Sequence, residues 1–366
     1  MCLHTLSLSG FRNLEVGELH FPPQGVAVVG DNAQGKSNLL EAIHYLETFR
    51  SFRRVADESL VTFGRDVFRV EAHLGSTGDD GQRQVSAAYR RSDGTKRIVR
   101  AGEEVPRMAD AIGEMGVVLL TPADVSLVSD GPAERRRFLD ILLSLNHPGY
   151  LMALQRYRKA LSQRNAALRM DPNGRGAAAF DNVLMEAGTQ IIVAREGWVR
   201  EHGGVFSRVY GHVAAGEEVS LVYQPSVMGG DDFRMALERS AARERRLGTT
   251  LVGPHRDEMG VTLGSGDREL DLREYGSGGQ RRTAALALRM AEAHTVRVRR
   301  KRDPIILLDD VFAELDPGRG ERILEWMESE ETGQVILTAP DDANIRLRGG
   351  TLPRWRIRQG QIVEQN

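Results

Sequence analysis

A chain of 366 residues, 41% of them hydrophobic, exceeds one typical domain and can fill a core without staples, so a main domain with a second lobe is expected. Its single cysteine, Cys2, excludes an internal disulfide and a multi-cysteine metal site and suits a reducing cytosol. A formal charge of −2 speaks by itself against a nucleic-acid partner, yet all but Lys36, Lys96, Lys159 and Lys301 of the 49 basic residues are arginines, many of them clustered.

Residues 1–9 alternate apolar and polar like a half-buried strand and lack the pattern of a signal peptide. No apolar run approaches the roughly 18 residues of a membrane span, so a soluble, cytoplasmic protein is expected. Residues 3–9 and 14–21 read as two strands joined by the turn Gly10-Phe11-Arg12-Asn13, and the turn 22–25 leads into the apolar strand Val26-Ala27-Val28-Val29. Next comes Gly30-Asp31-Asn32-Ala33-Gln34-Gly35-Lys36-Ser37, followed by an amphipathic helix from Asn38 to about Thr48. Strand, glycine loop and helix fit G-x4-G-K-[ST], in which backbone N–H groups and the helix N-terminus wrap phosphate oxygens. Lys36 would meet the β- and γ-phosphates of a nucleotide, and the Ser37 hydroxyl would be a ligand of its Mg2+.

Residues 49–54, Phe-Arg-Ser-Phe-Arg-Arg, interleave aromatics with arginines, a pattern suited to tracking a phosphate backbone or simply a helix end with exposed arginines. Segments 68–74, 85–91 and 96–100 read as an antiparallel meander, with a polar loop at 75–81 and Ser92-Asp93-Gly94-Thr95 as a hairpin turn flanked by Arg90, Arg91, Lys96, Arg97 and Arg100. The all-apolar run 117–120 has the character of a strand buried on both faces. Beyond Thr121 the pattern is helical: 132–144, 150–170 with a basic face at Arg156, Lys159 and Arg164, 177–208 and 231–247, broken at 146–149 and 171–176, with a short strand at 219–223. Residues 125–248 are therefore expected to be a mainly helical lobe inserted into a head formed by 1–124 and 249–366. Its repeated Pro and Gly exclude a long coiled coil.

Residues 251–257 bring the chain back, ahead of a hairpin through 264–267. Tyr275-Gly276-Ser277-Gly278-Gly279-Gln280 then opens a helix over 281–296, and a basic run covers 297–302. The buried strand Ile305-Ile306-Leu307-Leu308 ends in Asp309 and Asp310. A helix starts at Asp316-Pro317, an apolar strand covers 334–338, and 355–363 reads as a terminal hairpin. Four apolar strands rising to Gly30, Thr121, Asp309 and Thr338 suggest a largely parallel sheet with its ligand at the carboxyl ends. Asp309 suits the Walker B role of holding a water of the Mg2+ shell, and Asp310 would orient or deprotonate the attacking water; the alternative is that the pair caps the next helix. Lys36, Asp309 and Asp310 are thus the candidate catalytic set, with Ser37 and Asp309 on the metal.

Gly276 to Gln280, standing before a helix and some 30 residues ahead of the Walker B strand, resembles the L-S-G-G-Q signature of ABC-type ATPases. That resemblance implies that Ser277, Gly278, Gly279 and Gln280 face the nucleotide of a second subunit, with Asp316 in Ala313-Glu314-Leu315-Asp316 as a further contact. A narrower likeness is collinear over nearly the whole chain. Gly10-Phe11-Arg12-Asn13-Leu14, Asn38-Leu39-Leu40-Glu41-Ala42-Ile43, Ser51-Phe52-Arg53, Pro122-Ala123-Asp124, Arg135-Arg136-Arg137-Phe138-Leu139-Asp140, Gly253-Pro254-His255-Arg256-Asp257 and Leu308-Asp309-Asp310 are similar to stretches of the bacterial RecF family of recombination and repair ATPases.

The resemblance implies an α/β fold: a P-loop, ABC-type ATPase head like those of SMC proteins, with an N-terminal antiparallel meander and the inserted helical lobe in place of coiled-coil arms. ATP with Mg2+ would join two chains into a homodimeric clamp on duplex DNA and single/double-strand junctions. Slow, DNA-dependent hydrolysis would release it, and RecR and RecO would act with it to load RecA at gaps. Arg12 would reach the nucleotide, which residues 30–38, Asn38 included, would hold. Gly276 replaces the signature leucine, no Q-loop glutamine follows 117–120, and Thr338 stands where many ABC proteins place a switch histidine. His255 is expected to be structural rather than catalytic. A rival reading with the same motifs is the ATPase subunit of a membrane transporter; a small-molecule kinase would have no use for Ser277.

Overall fold

The computed structural model describes residues 2–15, 17–75, 83–170, 176–264, 269–329, 333–340, 346–347 and 350–365. The loops expected at 75–81, 171–176 and 264–267 lie mostly outside them. Two compact units result, Met1–Asp124 with Glu292–Asn366, and Val125–Ala291.

The first unit contains a six-stranded sheet in the order Gln361–Gln365, Arg354–Arg358, Gly25–Val29, Val335–Ala339, Ile305–Leu308, Val117–Leu120. All neighbours are parallel except the terminal hairpin pair. The strands 25–29, 117–120, 305–308 and 335–339 are buried at every position, which is why they read as uninterrupted apolar runs rather than as alternations. Register decides what their ends can do. Leu308 pairs with both Leu120 and Leu337, and Ala339 pairs with Val29. Thr121, Asp309, Thr338 and Gly30 therefore emerge along one edge of the sheet.

Against this core lies an antiparallel sheet in the order Glu18–His20, Cys2–Ser9, Val67–Gly75, Arg83–Arg90, Lys96–Arg100, Glu103–Glu104. Of the return strand expected over 14–21 only Glu18–His20 pairs. The helix Lys36–Thr48 contributes Tyr45, which meets Phe11, Phe49 and Phe68 edge-on at centroid separations of 5.4–6.5 Å. Each buried ring adds about 2–3 kcal/mol of hydrophobic stabilisation, so this cluster fixes the helix behind the glycine loop. Phe49 is one of its buried members, which removes it from the solvent-facing phosphate track that 49–54 suggested.

The second unit holds the helices Pro132–Asn146, Tyr150–Met170, Asp181–Val213 and Gly230–Leu247, with a three-stranded sheet of Leu270–Asp271, Glu258–Leu263 and Val219–Gln224. The chain's return to the head, expected at 249, differs accordingly: Glu258–Leu263 pairs antiparallel with Val219–Gln224 along its whole length, so 249–291 clusters with the helical block. Here the Gly253-to-Asp257 segment is fixed by buried polar groups. Arg195 donates to the Pro254 carbonyl at 2.7 Å and to Asp140 at 2.8 Å, while Asp257 accepts from the Ser226 N–H and the Tyr223 hydroxyl. His255 hydrogen-bonds the Tyr157 hydroxyl through Nδ1 at 2.6 Å and the Thr250 carbonyl through Nε2 at 3.1 Å. Both ring nitrogens are engaged in packing, and burial holds the imidazole's pKa below its ordinary value. None of the described helices is long and apolar enough to cross a membrane.

Candidate active site

Two glycines of the loop after strand Gly25–Val29 take conformations that side chains rarely adopt. Gly30 and Gly35 have φ of 150° and 112°, and a side chain at Gly30 would meet the Ile357 carbonyl. Ala33 also lies in the left-handed region, at φ 64°. Gly35 precedes the first helical residue, Lys36, so the unpaired N–H groups of that helix start open onto the loop. Lys36 is buried, and its ammonium donates to the carbonyls of Gly30 at 2.7 Å and Asp31 at 3.1 Å. The Gln34 carbonyl accepts from the Gly360 N–H at 2.9 Å. These three loop carbonyls are thus satisfied by donors of the protein itself, the arrangement a concave N–H cradle requires.

Asp309, Asp310, Ser37 and Thr338 meet at the sheet edge. The Thr338 hydroxyl lies 3.1 Å from Asp309 Oδ1 and 3.2 Å from Asp310 Oδ1, and it accepts the Asp310 N–H at 2.8 Å. Burial raises the pKa of the Asp309 carboxyl, and the Asp310 charge adds to this; hydrogen bonds from Ser37 and Thr338 and the field of Arg53 oppose it. A hydroxyl bonded to a buried carboxylate is the pair that holds Mg2+ beside nucleotide phosphates, because this ion keeps several waters and takes few protein ligands. These residues fit that group. Asp310 sits at φ 49°, a strained conformation for a non-glycine residue, held by its N–H bond to Thr338. Its side chain makes no cap bond to the short helical turn Val311–Glu314 that follows it, and the helix Pro317–Ser329 is capped instead by Asp316, whose Oδ1 accepts the Arg319 N–H at 3.0 Å.

Arg12 is held by Glu41 of the loop's helix, through Nε at 2.9 Å and Nη2 at 3.0 Å, and its Nη1 donates to the Ser59 carbonyl. Glu41 is fully buried and also accepts from the Ser51 hydroxyl, with Arg53 at 3.4 Å. Asn38 accepts from Arg53 at 2.7 Å and donates to Asn13 at 2.7 Å. Arg53, read in the sequence as part of a basic track, is therefore turned towards the loop's helix. Glu41 as its holder was missed altogether; the one available signal was a carboxylate on an apolar helix face with no local partner.

Ser277, Gly278, Gly279 and Gln280 begin the helix Gly278–Arg300 in the second unit. The Ser277 hydroxyl accepts the Gln280 N–H at 3.2 Å, and Gln280 Oε1 accepts the Ser277 N–H at 2.8 Å. This reciprocal capping box is legible as S-x-x-Q, and it leaves Ser277 and Gly278 exposed at the helix start. Gln280 also donates to Glu217 at 2.9 Å.

A family model described as the RecF/RecN/SMC N terminal domain matches residues 2–347. The DNA replication and repair protein RecF of Symbiobacterium thermophilum is 36% identical, covering 99% of this chain and 98% of its own. That of Geobacter metallireducens is 34% identical over 99% and 100%. Among solved structures, the recombination mediator protein RecF-ATP of the RecFOR pathway superposes with a TM-score of 0.87 at 29% identity, covering 100% of this chain and 97% of that one. An Smc head bound to the C-winged helix domain of ScpA gives 0.59 at 16%, covering 100% and 98%, a likeness of fold alone.

Proposed function

The chain belongs to the RecF family of DNA replication and repair proteins, and from that membership we propose that it is an ATP-gated DNA clamp of recombinational repair. The observation that carries the reading is the junction of Ser37, Asp309, Asp310 and Thr338 at the mouth of the glycine loop. Lys36 and the loop N–H groups from Gly30 to Ser37 hold the phosphates of ATP, with Asn38 fixing the helix behind them. Ser37 and Asp309 hold Mg2+, which neutralises phosphate charge, and Asp310 orients the attacking water. The relative of known structure that carries ATP in its name supports the choice of nucleotide. Arg12 and Arg53, both gathered on Glu41, supply positive charge beside the helix start.

The exposed start of the signature helix supports a dimer: Ser277, Gly278 and Gly279, with Gln280 and Asp316, receive the ATP held by a second copy. DNA lies in the clamp so formed, hydrolysis is slow and stimulated by DNA, and RecR and RecO act alongside in delivering RecA to gaps. With membership of this family established, nothing specific favours the transporter reading. The test is binding to gapped duplex DNA with ATP over a salt series. Affinity falls steeply with salt if several arginines displace counterions, and absent or salt-indifferent binding overturns the clamp.

A further inference from the structure

The glycine loop is held from outside by a part of the chain that no nucleotide-binding motif includes. Strand Arg354–Arg358 runs parallel to Gly25–Val29, with Arg356 beside Val29, so its exit turn arrives at the loop. There the Gln359 N–H donates to Gln34 Oε1 at 2.7 Å and the Gly360 N–H to the Gln34 carbonyl at 2.9 Å. The Gly360 carbonyl accepts the Glu15 N–H at 3.0 Å, and Gln361 donates to Glu15 Oε2 at 3.0 Å. Gly360 has φ 80°, and a Cβ there would run into the Asn13 carbonyl. Asn13 in turn bonds Asn38, two residues beyond Lys36. One C-terminal turn therefore grips the loop at Gln34 and the N-terminal turn at Asn13 and Glu15.

We infer that the Arg358–Gln361 turn is a positioning element of the phosphate loop, with Gly360 as its key residue and Gln34 as its handle. By binding the outward carbonyl and side chain of Gln34, the turn keeps the loop's N–H groups facing inward. Displacing it lets the Gln34 peptide rotate and turn a carbonyl towards the phosphates. The inference rests on the nucleotide-binding reading of the loop, which ATP binding by the wild-type chain tests first.

The experiment measures ATP affinity and turnover for Gly360→Ala, Gln34→Leu, the double variant and Gln359→Gly. Gly360→Ala is expected to raise the Kd and KM for ATP by about tenfold with kcat little changed. The double variant is expected to lose no more than the worse single one, since both act through one contact. Gln359→Gly, which keeps the N–H and relieves a left-handed φ of 48°, is expected to lose far less ATP affinity than Gly360→Ala, and an equal loss overturns the assignment. Additive losses, or unchanged affinity in a folded Gly360→Ala, overturn the assignment. Should Gly360→Ala fail to fold, amide exchange in the wild type decides: ATP slows exchange at Gln359 and Gly360 if the turn is coupled to the loop, and no change there refutes it.

Discussion

Asp309 is a carboxylate in a place that disfavours its charge. Burial raises its pKa, so its ionised form weakens the folded state at neutral pH, a cost that disappears on acidification as the carboxyl takes up a proton. Asp309→Asn is therefore expected to raise the melting temperature at pH 7 while abolishing hydrolysis. The stabilisation should vanish as the pH falls through the carboxylate range; a variant equally stabilised at pH 3 and pH 7 would contradict the assigned cause. Thr338 is the second test at this scale. Its hydroxyl serves the Asp310 N–H and both carboxylates, so Thr338→Val leaves a part-buried N–H without this acceptor and frees a strained residue. A loss of about 1–3 kcal/mol in stability and roughly tenfold or more in turnover is expected, with ATP affinity kept. Unchanged turnover in calorimetrically destabilised protein would reduce Thr338 to a packing residue.

Elements divide into those whose signal is local and those whose use is not. The parallel strands, the glycine loop and the helix that starts behind Ser277 were legible because each carries its pattern within ten residues: an apolar run, a fixed glycine spacing, a helix start. The Phe49-to-Arg54 segment was not, because whether an aromatic faces solvent or Tyr45 depends on what the rest of the chain delivers. The same holds for the segment around His255, whose meaning comes from Tyr157 and Thr250, far away or across a turn. Its neutral ring accepts from one partner and donates to the other, and Arg256, Arg136 and Asp257 also face it. A histidine whose folded pKa is depressed contributes stability above its unfolded pKa and loses it as pH falls. The melting temperature should thus drop on acidification from about pH 6.5 downward, more steeply in wild type than in His255→Gln; parallel curves would exclude this imidazole.

For the whole molecule the question is whether Ser277 does more than cap its helix. As a cap alone, Ser277→Ala costs about 1 kcal/mol and nothing else. In the proposed dimer, Ser277→Arg blocks ATP-driven association while leaving ATP bound by the same chain's loop, whereas Lys36→Met removes ATP binding itself. Light scattering with ATP is expected to show monomers of both, and nucleotide binding separates the two; ATP-induced dimers of Ser277→Arg would contradict the signature role.

The sequence by itself determined the family and where the glycine loop and the Asp309-Asp310 pair stand in the chain, because these reside in residue types at short, fixed separations. It also determined that a helical block interrupts the head. Only the tertiary structure decided that 249–291 packs with that block, that Arg12 and Arg53 share Glu41, that Thr338 joins Asp309 to Asp310, and that Gly360 grips Gln34. The reason is physical: each depends on strand register or on side chains tens to hundreds of residues apart meeting in a buried space, and no periodicity along the chain encodes which distant partner will arrive there.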